Sequence, residues 1–364
     1  MHERRMRPLS PQQALQHQNE GARLIDVRTT DERRSGFAQG SESLHIDALA
    51  ADVTSLGGDR DRALVFICQK DPRSQRAARI ACDAGYANVA FVVGGSEAWK
   101  TEGLPWVVED RFFERYARHL SLAEVGIEGQ RKLQGATIAM LGAGGLGSPI
   151  AYYLAAAGVG RLKIIDHDTI DRTNLQRQIL HTDARVGGSK VESARATLLA
   201  LNPDIEVIAI HEKLTAANAD ALFADADLVI DGADNFAARH LLNDACYRLR
   251  RPWIYAALQQ FDGHVSVFDL RNPDAGNPCY RCLFPEAPDA SFAPNCSEAG
   301  VLGVLPGLVG MIEATEAVKW ILGIGEPLVG QLLQVDALRM TFRKLRLRRD
   351  PQCPQCGDAQ ANLR

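Results

Sequence analysis

The sequence lacks long apolar runs. None reaches the roughly 18 residues that a membrane-spanning helix requires, and the polar N-terminus MHERRMRPLS has no apolar segment like that of a signal peptide. The net charge is only −4, which gives no reason to expect nucleic acid or an anionic membrane as a partner. We therefore expect a cytoplasmic protein that binds neither.

Cysteine is also scarce. Eight cysteines in 364 residues are too few for a disulfide scaffold, and four of them form two C-x-x-C pairs, which in a reducing compartment indicate a metal site. Hydrophobic residues make up 46% of the chain, enough for sizeable cores. The length predicts about two domains of 100 to 200 residues each.

The most informative stretch has the pattern of a βαβ nucleotide-binding unit. An apolar strand, Thr137 to Leu141, leads into the turn GAGGLG at Gly142 to Gly147, and after a helical stretch the strand Arg161 to Ile165 ends in Asp166. The glycines allow close approach to a phosphate, the helix N-terminus offers free N–H groups, and the acid can bind ribose hydroxyls. This pattern suits a dinucleotide cofactor and ATP equally well.

Residues further along the chain favour ATP. Cationic and amide side chains cluster before a helical pattern at 191–200: Asn174, Arg177, Gln178 and Lys190. Cations there would offset the charge of a triphosphate and stabilise departing pyrophosphate. A dehydrogenase has no need of them.

A second group of polar residues follows the strand-like run Asp227 to Ile230. The sequence DGADN places Asp231, Asp234 and Asn235 at the carboxyl edge of the predicted sheet, where ligands of doubly wound sheets bind. An acid at this edge, close to phosphates, indicates a Mg2+ ligand.

The first third of the chain alternates short strands and helices, which predicts a separate small α/β domain. The strand ALVFIC ends in Cys68, and the loop CQKDPRS then leads into a helix predicted from about Ser74 to Ala84. Cys68 would lie under backbone N–H groups beside Arg73, a setting that stabilises a thiolate or a persulfide. The alternative is a buried strand-end cysteine that acts as a small hydrophobe.

This domain resembles a rhodanese in LIDVR at Leu24 to Arg28, in the C-x4-R loop and in GGSEAWKTEGLP. The resemblance implies that Cys68 carries a persulfide sulfur stabilised by Arg73 and the loop amides, while Asp26 and Arg28 support the fold. In the loop, Asp71 adds a negative charge and Pro72 removes one N–H donor. These departures leave open a domain that serves only for docking.

Residues of about 113 to 357 resemble the MoeB/ThiF branch of the ubiquitin-activating superfamily. The supporting motifs are ERYARHL, GAGGLGSP, IDHDTIDRTNLQRQ, GGSKVESA, DGADN, PCYRCLFP and NCSEAGVLG. The resemblance implies adenylation of the C-terminal glycine of a ubiquitin-like sulfur carrier ending in Gly-Gly. Residues implied to bind ATP are Gly142, Gly144, Gly145, Gly147, Asp166 for the ribose, and Asn174, Arg177, Gln178 and Lys190 for the phosphates. Arg177, Lys190 and Asp234 would be catalytic, with Asp234 binding Mg2+.

The resemblance also gives roles to two residues outside the nucleotide loop. Arg118, in the helical linker, would reach across a homodimer interface into the ATP site of the partner subunit. Cys296, in APNCSEAG, would lie on a crossover loop and take part in the sulfur chemistry; on the residues alone it is a surface thiol.

The two C-x-x-C pairs, about 70 residues apart, predict a closed four-thiolate zinc site formed by Cys279, Cys282, Cys353 and Cys356. Such a site would be structural, since no position remains open for catalysis. A thioredoxin-like redox pair would not explain two knuckles.

Together these patterns predict an α/β protein. A rhodanese-like domain at residues 1–108 is followed by a helical linker and dimer arm at 109–134. A doubly wound, Rossmann-like ATP-binding domain with a zinc-knuckle C-terminal part occupies 135–364.

The expected function joins the two domains. The large domain adenylates the carrier, most simply in molybdopterin biosynthesis, and the Cys68 persulfide, supplied by a donor such as a cysteine desulfurase, converts the adenylate into a thiocarboxylate. The main alternative is an adenylyltransferase with a docking domain. An NAD-dependent oxidoreductase is a remote one.

Overall fold

The computed structural model describes residues 6–108, 110–272, 275–286 and 300–358. The chain divides into two compact units, Met1–Leu122 and Ala123–Arg364.

The first unit is built on a five-stranded sheet of order β1-β6-β5-β2-β4, in which every pair is parallel. Its strands, including a small antiparallel pair β3-β7, are β1 (Arg7–Leu9), β2 (Arg23–Asp26), β3 (Phe37–Ala38), β4 (Glu42–Ser43), β5 (Leu64–Ile67), β6 (Val89–Val92) and β7 (Trp106–Val107). Its helices are α1 (Pro11–Asn19), α2 (Thr30–Arg34), α3 (Ile46–Ala51), α4 (Pro72–Asp83), α5 (Gly95–Thr101), α6 (Arg111–Arg115) and α7 (Ala117–Leu120), with a 3-10 turn at Val53–Leu56.

The central strands of this sheet read as continuous apolar runs because both of their faces are covered. All residues of β5 (LVFI) and β6 (VAFV) are buried, as expected for a parallel sheet between helices. Since β5 is central, the loop that follows it at Cys68 lies at the middle of the sheet's carboxyl edge.

The second unit contains an eight-stranded sheet of order β10-β9-β8-β11-β12-β13-β14-β15. Its strands are β8 (Thr137–Leu141), β9 (Arg161–Ile165), β10 (Glu206–Ile210), β11 (Leu228–Asp231), β12 (Trp253–Gln259), β13 (Asp262–Phe268), β14 (Gln331–Asp336) and β15 (Thr341–Arg346). Its helices are α8 (Gly126–Gly135), α9 (Gly147–Ala157), α10 (Lys190–Leu201), α11 (Ala219–Phe223), α12 (Phe236–Leu249), α13 (Tyr280–Leu283) and α14 (Leu305–Leu322), with 3-10 turns at Arg172–Asn174 and Asp183–Arg185.

The strand order places a switch point beside β8. From β8 the chain moves outward through β9 to β10, then crosses to the other side of β8 for β11 and β12; these five strands are parallel. From β12 to β15 the pairs are antiparallel. The predicted doubly wound sheet is therefore confirmed, with a crevice between the carboxyl ends of β8 and β11.

The sequence predicted several elements within one or two residues. The bounds of β8 and β9 match the expected ranges and those of α10 differ by one residue at each end, whereas the helix after Cys68 begins at Pro72 rather than near Ser74. The segment expected to form a helical linker contains three separate helices, α6, α7 and α8. Among the described residues, no helix is long and apolar enough to cross a bilayer.

Candidate adenylation and sulfur-transfer sites

The glycine loop after β8 lies in backbone contact with the loop after β11. Gly232 N–H donates to Leu141 O at 2.6 Å, and a Cβ added at Gly142 would lie 2.5 Å from Gly232 O. Gly142 also has a φ of +100°, a conformation that favours glycine. The contact brings GAGGLG and DGADN, which are about 90 residues apart in sequence, into one crevice.

Asp166 connects the end of β9 to this loop. Its Oδ2 accepts a hydrogen bond from Ala143 N–H at 2.8 Å, and its Oδ1 accepts one from Asp168 N–H at 2.8 Å. The carboxylate is thus oriented at the place where a ribose would lie in a βαβ nucleotide site.

Three of the predicted phosphate ligands lie against the glycine loop or against one another. A Cβ at Gly144 would be 3.5 Å from Gln178 Nε2, and one at Gly145 would be 3.6 Å from Arg177 Cδ. Arg177 Nη2 donates to Asn174 Oδ1 at 2.8 Å. Since this partner is a neutral amide, the hydrogen bond orients the guanidinium without cancelling its charge.

Lys190 is the first residue of α10 and is buried, with 5% of its surface exposed. Its Nζ donates to Asp168 Oδ2 at 2.7 Å. Burial works to raise the pKa of Asp168, but the hydrogen bond and charge of Lys190 outweigh it, so that the pKa is lowered. Asp168 was not predicted, although its position two residues after Asp166 is a sequence clue.

The three polar residues of DGADN have different surroundings. Asp231 is fully buried and accepts from Arg239 Nε at 2.7 Å, whereas Asp234 is exposed and accepts from Asn235 Nδ2 at 3.1 Å. Asn235 also caps α12 through a bond from Ala238 N–H at 2.9 Å. Of the two acids, Asp234 is the one accessible to a metal ion.

Two buried residues near this crevice were missed by sequence reasoning. His181 bridges Ala143 O, 2.9 Å from its Nε2, and Ser193 Oγ, 3.0 Å from its Nδ1; burial lowers its pKa. Glu313, on α14, is fully buried, and neither of its carboxylate oxygens has a hydrogen-bond partner among the described residues. Burial and the nearby charge of Asp231 raise the pKa of Glu313 well above its ordinary value. An isolated His or Glu in an apolar pattern offers no sequence clue.

In the first unit, Cys68 follows β5 and is completely buried. Its thiol donates to Ser74 Oγ at 3.4 Å, and the Ser74 hydroxyl donates to Asp71 O at 3.0 Å. A Cβ at Gly95 would lie 2.3 Å from Cys68 O, so the glycine turn packs directly on the cysteine loop.

The two departures from the rhodanese loop have defined places. Pro72 occupies the first turn of α4, where a backbone N–H has no intrahelical acceptor in any case. The Asp71 carboxylate accepts a hydrogen bond from Gly94 N–H at 2.8 Å. Its charge is therefore used to hold the glycine turn.

Arg73 is held by an acid that the sequence did not reveal. Its two terminal nitrogens donate to the two oxygens of Glu32 at 2.7 and 2.6 Å. The hydrogen bond with Glu32 is the main cause of the raised pKa of Arg73, and the negative charges of Glu32 and Asp26 also raise it. Burial would raise the pKa of Glu32, but Arg73 and Thr29 lower it to about 2.

Asp26 and Arg28 form a buried pair, with the guanidinium donating to both carboxylate oxygens at 2.7 to 3.1 Å. Arg28 also donates to Gly36 O at 2.8 Å. These contacts support the loop after β2.

The two C-x-x-C pairs converge in the second unit. The four sulfur atoms lie within 4.8 Å of one another; Cys279 and Cys353 sulfurs are 3.6 Å apart, and those of Cys282 and Cys356 are 3.3 Å apart. These separations are far longer than a disulfide bond of about 2.05 Å. A zinc tetrahedron with Zn–S bonds of about 2.3 Å has sulfur–sulfur edges of about 3.8 Å, so the donor set fits.

Surrounding hydrogen bonds fix both knuckles. Arg281 donates to both oxygens of Asp244 at 2.8 Å, and Arg349 Nε donates to Cys356 O at 2.8 Å. The first knuckle is thus held to α12 independently of a metal, and Arg349 orders the tail around the second knuckle.

Two predicted site residues are not placed in these sites. Arg118 lies on α7, in the first unit, and is exposed. Cys296 lies outside the described residues.

Comparison with known proteins agrees with this division of the chain. Residues 116–355 match the ThiF family, and residues 10–102 match the rhodanese-like domain. A sulfur carrier protein adenylyltransferase from Thermus thermophilus is 48% identical over 255 residues, which are 70% of this chain and 93% of that protein. A SAMP-activating enzyme E1 from Haloferax volcanii is 47% identical over 67% of this chain and 89% of its own length.

Another relative carries both activities in its name. The probable adenylyltransferase/sulfurtransferase MoeZ from Mycobacterium tuberculosis is 46% identical over 66% of this chain and 62% of its own length.

Among solved structures, Escherichia coli MccB with MccA-N7isoASN matches 72% of this chain and 81% of its own, with a TM-score of 0.59 and 22% identity. At this identity the likeness concerns the fold. The described relatives are named adenylyltransferases or activating enzymes, in contrast to the NAD-dependent oxidoreductase considered above. The chain belongs to the ThiF family, with a rhodanese-like domain ahead of the ThiF region.

Proposed function

We propose that this protein uses ATP to adenylate the C-terminal glycine of a ubiquitin-like sulfur carrier and then converts the adenylate into a thiocarboxylate. The observation that carries the proposal is the crevice at the switch point, where Gly142 meets Gly232 and where Arg177 and Gln178 lie against the glycine loop. The names of the relatives support a sulfur carrier as the partner, and molybdopterin synthesis is the pathway that fits.

In the first step, a carboxylate oxygen of the carrier attacks the α-phosphorus of ATP. An O–P bond forms, the bond to the bridging oxygen breaks, and pyrophosphate leaves with the electron pair. Because the carboxylate is already nucleophilic, the protein needs to supply position and positive charge rather than a base. Arg177, Gln178 and Lys190 are the residues proposed for this task, with Asn174 orienting Arg177.

A magnesium ion held by Asp234 would neutralise charge on the phosphates. The four cysteines would hold zinc as a structural ion. Stoichiometric zinc is expected in protein purified without chelator, and protein that is folded yet free of metal would contradict the assignment.

In the second step, a persulfide on Cys68 attacks the carbonyl carbon of the adenylate. A C–S bond forms and AMP leaves. Attack of the Cys296 thiolate on the Cys68 sulfur would then release the thiocarboxylate and leave a Cys68–Cys296 disulfide for a cellular thiol to reduce. A cysteine desulfurase is the proposed upstream donor.

The proposed reaction can be tested by measuring the mass of the carrier protein. The purified protein is incubated with ATP and candidate carriers that end in Gly-Gly, and the carrier mass is monitored for addition of AMP and then for replacement of oxygen by sulfur. We expect both products with the correct carrier. Absence of the adenylate with every candidate would contradict the proposal.

A second candidate function is favoured by one observation: Cys68 has no exposed surface. In that case the rhodanese-like domain only docks partners, and sulfur reaches the adenylate from elsewhere. The variant Cys68→Ser separates the two functions. Sulfur transfer through Cys68 requires that the variant keeps adenylation and loses thiocarboxylate, whereas the docking function leaves both products unchanged.

The protein is proposed to act as a homodimer in which Arg118 completes the ATP site of the partner subunit. Mixing Arg118→Ala with Arg177→Ala should restore activity, because one of the two sites in a mixed dimer would then contain both arginines. Two inactive variants that stay inactive when mixed, although sedimentation shows mixed dimers, would contradict this role.

A further inference from the structure

We propose that Glu32 determines which class of sulfur donor the cysteine loop accepts, by pairing with Arg73 and so disfavouring oxyanionic donors such as thiosulfate relative to persulfides carried on another protein. This inference rests on the proposed sulfur-carrying role of Cys68.

The contact between Glu32 and Arg73 uses both ends of each group. The two Arg73 nitrogens reach the two carboxylate oxygens at 2.7 and 2.6 Å, which is the strong bidentate arrangement. About a third of each side chain is exposed, 33% for Arg73 and 32% for Glu32. A donor that needs this guanidinium must therefore compete with a carboxylate already bound to it.

Glu32 is fixed in this position by the start of α2. Thr29 donates to Glu32 Oε2 from its backbone N–H at 2.9 Å and from its hydroxyl at 3.1 Å, and Glu32 N–H donates back to Thr29 Oγ1. This capping box holds the carboxylate in place. Since the pKa of Glu32 is lowered to about 2, it stays ionised throughout the physiological range.

Three other cations of this unit also have carboxylate partners. Arg28 and Arg33 both donate to Asp26, and the exposed Lys70 lies 3.8 Å from Glu97. A divalent oxyanion would therefore approach cations that already contact a carboxylate, although Arg28 and Arg33 share the single carboxylate of Asp26. It would also meet the Glu32 carboxylate itself.

The chemistry of the two donor classes differs in this respect. With thiosulfate, the Cys68 thiolate attacks the outer sulfur, a new S–S bond forms, and sulfite leaves with the electron pair. This donor and its leaving group are both oxyanions, and a cation without a carboxylate partner stabilises them more strongly than a paired one. With a protein persulfide, the same attack releases a thiolate on the donor protein, and no oxyanion is involved.

The test compares the full-length protein with Glu32→Gln. Glutamine can still close the capping box but carries no charge, so it frees Arg73. The matched control is Glu42→Gln, because Glu42 forms the same bidentate pair with Arg23, at 2.8 and 2.6 Å, between β2 and β4. Persulfide formation on Cys68 is measured by mass spectrometry with thiosulfate and with a cysteine desulfurase loaded from cysteine.

We expect Glu32→Gln to accelerate transfer from thiosulfate about tenfold, the effect of removing one charge at contact distance, with transfer from the desulfurase unchanged within about twofold. Glu42→Gln should change neither rate. If Glu32→Gln leaves the ratio of the two rates unaltered, or lowers both together, Glu32 does not select the donor. If neither donor labels Cys68 in the wild-type protein, the proposed sulfur-carrying role fails, and the donor selection fails with it.

Discussion

The glycine loop at Gly142–Gly147 and the cysteine loop at Cys68–Ser74 occupy equivalent places in two different sheets. Each follows a buried strand whose neighbours on both sides are parallel, and each leads into a helix. The electrostatics differ: Arg177, beside the glycine loop, bonds to a neutral amide, whereas Arg73, beside the cysteine loop, is bound by the carboxylate of Glu32. This difference in the partner of one arginine is the basis of the phosphate role proposed for Arg177 and of the donor selection proposed for Glu32.

Near the two sites, the pKa values of two glutamates are shifted in opposite directions. Glu32, paired with Arg73, has a pKa of about 2, while burial raises the pKa of Glu313 well above its ordinary value. Burial acts in the same direction on both side chains, so the presence of an arginine partner decides the outcome.

The largest effect is expected from variants that remove a charged side chain from the site beside the glycine loop. Arg177→Ala and Asp234→Ala should each lower carrier-dependent ATP/pyrophosphate exchange by about 100-fold or more, because charge stabilisation at such a site contributes on the order of 3 kcal/mol. The control is Arg172→Ala, which removes an exposed arginine of the same segment that pairs with Asp183. Exchange at wild-type rates in both site variants would show that neither residue acts on the phosphates.

A second comparison tests whether the two loops require a glycine where their backbone lies against the backbone of a neighbouring loop. Gly142→Ala and Gly95→Ala each place a Cβ within 2.5 Å of a carbonyl oxygen at a positive φ. Gly187→Ala has a positive φ of +85° but open space around it. We expect Gly187→Ala to lose about 1 kcal/mol of stability and the other two about 3 kcal/mol or more.

Thermal unfolding and ATP affinity distinguish the two loops. Gly142→Ala should weaken ATP binding, whereas Gly95→Ala should leave ATP binding intact while it destabilises the first unit. Equal losses in all three variants would mean that φ alone determines the effect.

The smallest expected effect concerns Glu313. The pKa of Glu313 is higher in the folded protein than in the unfolded chain, where it is about 4.3. The contribution of this carboxyl group to stability is therefore fully present below pH 4.3 and is lost as the pH rises through the folded pKa. Glu313→Gln removes this loss, so the stability of the variant relative to wild type should increase between pH 4 and pH 8 by on the order of 1 kcal/mol.

The measurement is the unfolding temperature across that range, with Glu192→Gln, at an exposed position of α10, as the control. A difference that stays constant with pH would show that Glu313 does not titrate on unfolding.

Much of the fold could be predicted because its elements are encoded locally. Strands β8 and β9 have the expected bounds, since apolar runs of the right length are bounded by glycines and polar residues. Helix α4 began earlier than expected because Pro72 suits the first turn of a helix.

The roles predicted for Arg118 and Cys296 remain proposals. They depend on a second subunit and on a loop, and local sequence patterns describe neither.

The sequence by itself determined which reactive and ligand-binding groups are present: a glycine loop, an acid at the end of β9, cations before α10, a cysteine after β5 and two C-x-x-C pairs. These are short motifs whose residue types follow from the chemistry of phosphate, thiol and zinc.

Only the tertiary structure decided the partners: Gly232 contacts Gly142, Asp168 binds Lys190 and Glu32 binds Arg73, while Glu313 has no hydrogen-bond partner in the part of the chain that the structure describes. Such contacts join residues distant in sequence, and the charge state that results depends on burial and distance, which no local pattern encodes.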